Sequence, residues 1–155
     1  MIRVLKLFHF LGLVIFLGSI LTFIIVSALI EGASLENIAF GRKIISTGTY
    51  ALTLPGLWII AVTGIWMGIK RYGLKQRFFQ IKFIIAVLII INAYFFVVPG
   101  VSYATELALR SLIQGHLFPE YRSAYLRESL FGAVNVLLAV IAAIVGVWKI
   151  GLKNE

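Results

Sequence analysis

A histidine inside an apolar run is the clearest chemical handle in this chain. His9 stands in Lys6-Leu7-Phe8-His9-Phe10-Leu11-Gly12, within the run Val4–Ile30. That run exceeds the about 20 apolar residues that cross a bilayer. An ionisable group there is costly, and by default it marks a functional site. A neutral imidazole binds iron from within a helix bundle, so one reading makes His9 an axial ligand of haem b. Helical spacing puts His9, Gly12, Phe16 and Ser19 on one stripe. Gly12 on that stripe leaves room for a flat macrocycle. The other reading is structural: His9 hydrogen-bonds across to a hydroxyl such as Thr63.

The remaining candidates are few. His116 belongs to the far loop, a bilayer core of about 30 Å from His9, so a bis-histidine haem would need a homo-oligomer. Within one chain, Met67 and Lys82 are the candidates for a second ligand. Each has a plainer role, Lys82 by snorkelling to headgroups and Met67 by filling space. Asn92 and Asn135 lie in apolar runs, where an amide contacts a haem propionate or a quinone, or bonds between helices. All six acidic residues read as loop or C-terminal residues. That argues against a proton-coupled transporter, which needs a carboxylate in the membrane. Cysteine is absent and methionine appears twice, which excludes disulfides and argues against copper handling. No nucleotide loop, serine triad or zinc signature is present.

These residues need elements to hold them. The chain has 155 residues, 61% hydrophobic and 13% charged, against roughly a quarter charged in a soluble chain. Lipid is therefore the expected solvent. Four continuous apolar runs, 4–30, 44–69, 78–99 and 130–150, each have the length of a membrane helix. The first is too long for the core of a signal peptide, about 7–15 residues. The expected fold is all-α: a single domain over 1–155, with four transmembrane helices in an antiparallel up-down bundle.

Charge orients it. Arg3, Lys6, Lys70, Arg71, Lys75, Arg77, Lys82, Lys149 and Lys153 fall on one side, with Glu155 as the only acid. On the other side Arg42, Lys43, Arg110, Arg122 and Arg127 are balanced by Glu31, Glu36, Glu106, Glu120 and Glu128. The net charge of +8 thus collects on one face, which speaks for topology and anionic lipid rather than nucleic acid. The positive-inside rule places both termini in the cytoplasm of a cell with this protein in its inner membrane. Trp66 and Trp148 fit an aromatic belt at the inner interface, and Tyr50 and Tyr103 one at the outer.

Loops and packing faces complete the reading. Glu31–Lys43 joins the first two helices, and the short Lys70–Arg77 makes the second and third antiparallel neighbours. Tyr103–Leu117 is helically patterned, as a continuation of helix three or a helix on the membrane surface, and Pro119 breaks it. The outer-loop segment Tyr121–Arg127 reads as an interfacial anchor or a grip on a partner. Pro55 should kink helix two. Gly64 and Gly68 form a small-xxx-small contact, and Gly132, Ala139, Ala143 and Gly146 a small face on helix four. No internal repeat is evident.

Several of these motifs together resemble a known group. Lys6-x-x-His9-x-x-Gly12-x-x-x-x-x-Gly18, Arg42, Leu54-Pro55-Gly56, Thr63-Gly64-Ile65-Trp66 and Pro119-Glu120-Tyr121-Arg122 are similar to an uncharacterised family of bacterial four-helix integral membrane proteins, domain of unknown function twenty-two sixty-nine. More distantly, the first helix resembles the opening helix of HemJ-type protoporphyrinogen oxidases and CopD-type membrane proteins. The HemJ resemblance implies haem b at the matching histidine, His9. The chain lacks the Pro-Arg segment late in that helix, so the resemblance does not extend to porphyrinogen oxidation.

Two functions are therefore expected. The first is a small inner-membrane haem b redox protein, with His9 as axial ligand, Gly12, Met67, Lys82 and Asn92 around the cofactor, and a quinone or membrane oxidoreductase as electron partner. The alternative is a cofactor-free scaffold or accessory subunit of another membrane complex.

Overall fold

Glycine and proline set the ends and bends of the helices. The computed structural model describes residues 2–73 and 75–151; Lys153 and Glu155 of the charge pattern lie outside the described residues. Helix α1 covers Ile2–Ile30 and is followed by Gly32 at φ 74°. Ser34 then caps α2, Leu35–Gly48, its hydroxyl accepting from the Asn37 N–H at 3.4 Å. A widened π-turn, Thr49–Thr53, leads without a break into α3, Leu54–Tyr72. Gly73, at φ 71°, ends α3. Helix α4, Arg77–Asn92, passes through a second π-turn, Ala93–Val97, into α5, Val98–Gln114. Gly115 stops α5 in the left-handed conformation that only glycine adopts at no steric cost. Pro119 opens α6, Pro119–Trp148, where its missing N–H is harmless, and Glu120 complements the helix N-terminus.

The result is four helices long and apolar enough to cross a membrane: Arg3–Ile30, Leu35–Tyr72, Arg77–Gln114 and Pro119–Trp148. They extend well past the apolar runs. The loop expected over Glu31–Lys43 shrinks to a turn, because α2 begins at Leu35. Tyr103–Leu117 is mostly a continuation of helix three, and Gly115 rather than Pro119 ends it. The Gly151 carbonyl accepts from the Phe78 N–H at 3.3 Å, which sets the C-terminal turn beside the α3–α4 turn. Lys6 meets Arg71 across one cavity, so the start of α1 lies at that same terminal end.

Each mid-helix proline is absorbed by the turn before it. A proline interior to a helix removes one i→i−4 bond and presses its ring on the carbonyl four residues back. Here the Leu54 N–H bonds to Thr49 O and the Val98 N–H to Ala93 O, so each ladder lengthens by one residue and continues. At Pro55, where the sequence reading expects a kink, the helix runs on through the π-turn, and Pro99 sits inside a continuous helix in the same way. The two segments share the pattern Tyr-x-x-x-x-Pro-Gly (Tyr50 to Gly56, Tyr94 to Gly100). They pair reciprocally: Tyr50 Oη lies 3.2 Å from Ser102 Oγ, and Trp58 Nε1 donates to Tyr94 Oη at 2.8 Å. A short local repeat thus exists where the sequence reading finds none. Tyr50, expected in the outer belt, also joins this crossing.

Packing is tightest between α1 and α3. A Cβ on Gly56 would lie 2.9 Å from Phe16 N and 3.2 Å from Gly12 O, and one on Gly12 would lie 3.1 Å from Ile60 N. The helices meet backbone to backbone, as small residues allow in membranes. Ser19 and Thr53 share a 2.8 Å hydrogen bond just above that contact. Asn92 donates to Asn135 Oδ1 at 2.7 Å and Phe131 O at 2.8 Å, tying α4 to α6. Gly132 has no atom within 4 Å of its Cβ position, so it marks no close approach. Because backbone cannot move aside as a side chain can, Gly56→Ala should destabilise the bundle by about 1–3 kcal/mol, the range for overpacking. A thermal melt in detergent followed by helicity measures it; an unchanged midpoint would contradict this contact.

Candidate functional site

Toward the terminal end, α1, α3, α4 and α6 enclose a cavity of about 340 Å³, at the lower end of the about 300–1,000 Å³ of ligand pockets. Small residues make the space. Ala61 and Gly64 of α3, Ala86 of α4, and Ala139, Ala143 and Gly146 of α6 all line it. The small face expected to seat a neighbouring helix on α6 is therefore largely cavity wall. The small-xxx-small pair of α3 likewise seats rings rather than a backbone. Gly64 faces His9, whose Cε1 lies 3.1 Å from the Cβ position, and the Phe79 ring occupies the space a Cβ on Gly68 would take.

His9 is half-buried on the cavity wall. Its Nδ1 lies 3.0 Å from Thr63 Oγ1 and 3.2 Å from Ile60 O. Ile60 O can only accept. Thr63 Oγ1 donates its own proton back to Ile59 O, so it too accepts from His9. Both contacts therefore place a proton on Nδ1, and in the neutral ring that tautomer leaves the lone pair on Nε2. Nε2 has no hydrogen-bond partner among the described residues. A metal-binding histidine characteristically donates its other N–H to a carbonyl or carboxylate in this manner. The two sequence readings of His9 are thus compatible: Thr63 holds one nitrogen and the other is left to a ligand.

The other candidates divide. Met67 and Lys82 line the same cavity as His9. Gly12 does not: it faces Ile59 and Ile60 and serves the α1–α3 contact, because that is where the chains are closest. Asn92 is also off the cavity, its amide taken up by Asn135 and Phe131 O. His116 is exposed at the opposite end, beside Phe118. No group of three His, Cys, Asp or Glu side chains is found among the described residues. A bare ion would lack ligands here, whereas a porphyrin brings four nitrogens of its own.

A second polar cluster escapes the sequence reading. Arg42 of α2 is fully buried and ion-paired with Glu128 of α6. Its guanidinium also donates to Val101 O at 3.4 Å, and Thr105 Oγ1 donates to Arg42 O at 3.3 Å. Gly100 makes room for the close approach, its Cβ position lying 3.3 Å from Glu128 Cβ. This corrects the expectation that every acidic residue lies in a loop or at the C-terminus. The signal was local: Ser34 as a cap and Pro119-Glu120 as a helix start carry both helices past the apolar runs.

No family model, curated protein or solved structure matches the chain.

Proposed function

We propose that the protein is a small inner-membrane haem b-binding redox protein in which His9 is an axial ligand. The observation that carries this is the setting of His9: Nδ1–H is held by Ile60 O and Thr63 Oγ1, Nε2 has no hydrogen-bond partner among the described residues, and the residue lines a largely apolar cavity. The second-shell bonds fix the tautomer and ring orientation that iron ligation needs. Met67 and Lys82, on the same wall, are the side chains available to a second axial position or to the macrocycle's acidic groups. Haem b, when bound, supplies one-electron chemistry whose potential depends on axial ligand, burial and hydrogen bonding. The chain's own part is to orient the imidazole, exclude water with its apolar wall and hold the group at one depth in the bilayer.

Orientation follows from charge. Arg3, Lys6, Lys70, Arg71, Lys75, Arg77 and Lys149 gather at the terminal end, which by the positive-inside rule supports a cytoplasmic terminal end and a cavity toward the inner leaflet. A quinone or a membrane oxidoreductase is the electron partner suited to that depth.

The test is an absorption spectrum of the detergent-purified protein, from cells with ample haem, before and after dithionite. A Soret band that shifts on reduction, with sharpened α and β bands, is the expected result. A flat visible spectrum would overturn the haem reading and favour the cofactor-free scaffold.

A further inference from the structure

The cavity's charge is one-sided. Lys82 lies on its wall, and Lys6 and Arg71 stand at its rim. No carboxylate lines it, and none of the three cations has an ion pair among the described residues. Lys82 is half-buried within α4, and its Nζ is turned toward α6, where Gly146 leaves room: a Cβ there would lie 3.0 Å away. Its Nζ lies 5.8 Å from the centroid of the Phe78 ring. A cation drawn from water into apolar surroundings is costly unless something of opposite charge meets it. Snorkelling accounts for one lysine stem. Charge bias between the two ends accounts for the exposed Lys6 and Arg71, but not for Lys82, half-buried on a wall that carries no acid among the described residues.

The cavity also adjoins lipid. A second, almost wholly apolar cleft lies between α3 and α4 and shares Ile65, Phe79 and Phe83 with it. Ile69, Phe83 and Ile84 of that cleft are exposed on the helix surface. Only a thin layer of side chains, with Phe79 seated against Gly68, separates cavity from bilayer. A ligand arriving this way carries an apolar body, not a free inorganic anion.

We infer that the cavity binds an amphiphile by its acidic group, with Lys82 pairing with the carboxylate or phosphate and Arg71 and Lys6 steering it at the rim. This deepens the haem reading and rests on the same cavity, because haem b carries two propionates. An anionic lipid headgroup offers the same chemistry, and the experiment separates the two sources.

The full-length protein in detergent is titrated with haem b and with its dimethyl ester, alongside Lys82→Met and Lys82→Arg. The wild type should prefer the diacid by about tenfold or more, the scale of a hydrogen bond to a charged group. Lys82→Met should bind acid and ester alike, and Lys82→Arg should keep the preference. Equal binding of acid and ester by the wild type would overturn the inference even with haem bound. If neither porphyrin binds, the haem reading fails by itself and a lipid arm decides. Native mass spectrometry after equilibration with equal phosphatidylglycerol and phosphatidylcholine should then show the wild type retaining the anionic lipid and Lys82→Met retaining neither selectively. Equal retention of both lipids by the wild type would overturn it.

Discussion

Glu128→Ala is expected to destabilise the bundle by about 3–5 kcal/mol, because it strands a buried cation. Arg42 is fully buried between α2, α5 and α6. Its guanidinium has Glu128 and Val101 O as partners, while Nε and Nη1 have none among the described residues. Val101 O, shared with Thr105 at 2.7 Å, is neutral and so cannot substitute for a carboxylate. Truncating Glu128 would leave an uncompensated charge in an apolar setting. The pair itself need not stabilise. Replacing both members by apolar residues of similar volume is commonly neutral or stabilising by about 1–4 kcal/mol. The double variant Arg42→Met/Glu128→Leu should therefore recover most of the loss. Unfolding in detergent, followed by helicity for Glu128→Ala and for the cycle of wild type, Arg42→Met, Glu128→Leu and the double variant, measures both statements. Additive effects of the two single changes would show that Arg42 and Glu128 do not act as a pair.

That cluster also shows where the sequence stops being legible. Hydropathy finds the four helices because each apolar run exceeds a bilayer's thickness, and nothing else buries such runs. It marks the membrane-like middle of a helix and not its ends. The ends lie with Ser34, Gly73, Gly115 and Pro119, whose cap and stop chemistry carries α2 and α6 beyond the apolar runs. Arg42 and Glu128 sit in those extensions, so a reading from hydropathy sends both to loops and misses their pairing. Small residues are ambiguous for a different reason. Gly12 accepts a backbone, Gly64 the His9 ring, Gly68 the Phe79 ring and Gly146 the Lys82 ammonium. A glycine on a helix face announces proximity but not what comes near. His9 and Thr63 were legible as a pair because a polar group in an apolar span has few places to satisfy itself. Asn92 met the same rule through Asn135, which took it out of the cavity.

His9→Ala is expected to abolish haem binding, with loss of the Soret and the α and β bands, since no other histidine lies near the cavity. His116 is at the opposite end of the bundle, and Met67 and Lys82 alone offer weaker attachment. Thr63→Val should act more gently. It removes one of two acceptors for Nδ1–H and leaves Ile60 O at 3.2 Å, so the tautomer survives. The expected result is a normal spectrum with affinity lowered about 10–100-fold, the usual effect of losing an outer-shell partner. His9→Gly should regain part of the spectrum on adding imidazole, because the ring's seat against Gly64 is then open. Helicity and elution volume check that each variant is folded. Full haem content and an unchanged spectrum in His9→Ala would remove His9 from the iron and leave Thr63 as its purely structural partner. Loss of haem in Thr63→Val with His9→Gly unrescued would instead mean that the His9–Thr63 bond holds α1 to α3, and that the cavity depends on that contact rather than on the imidazole as a ligand.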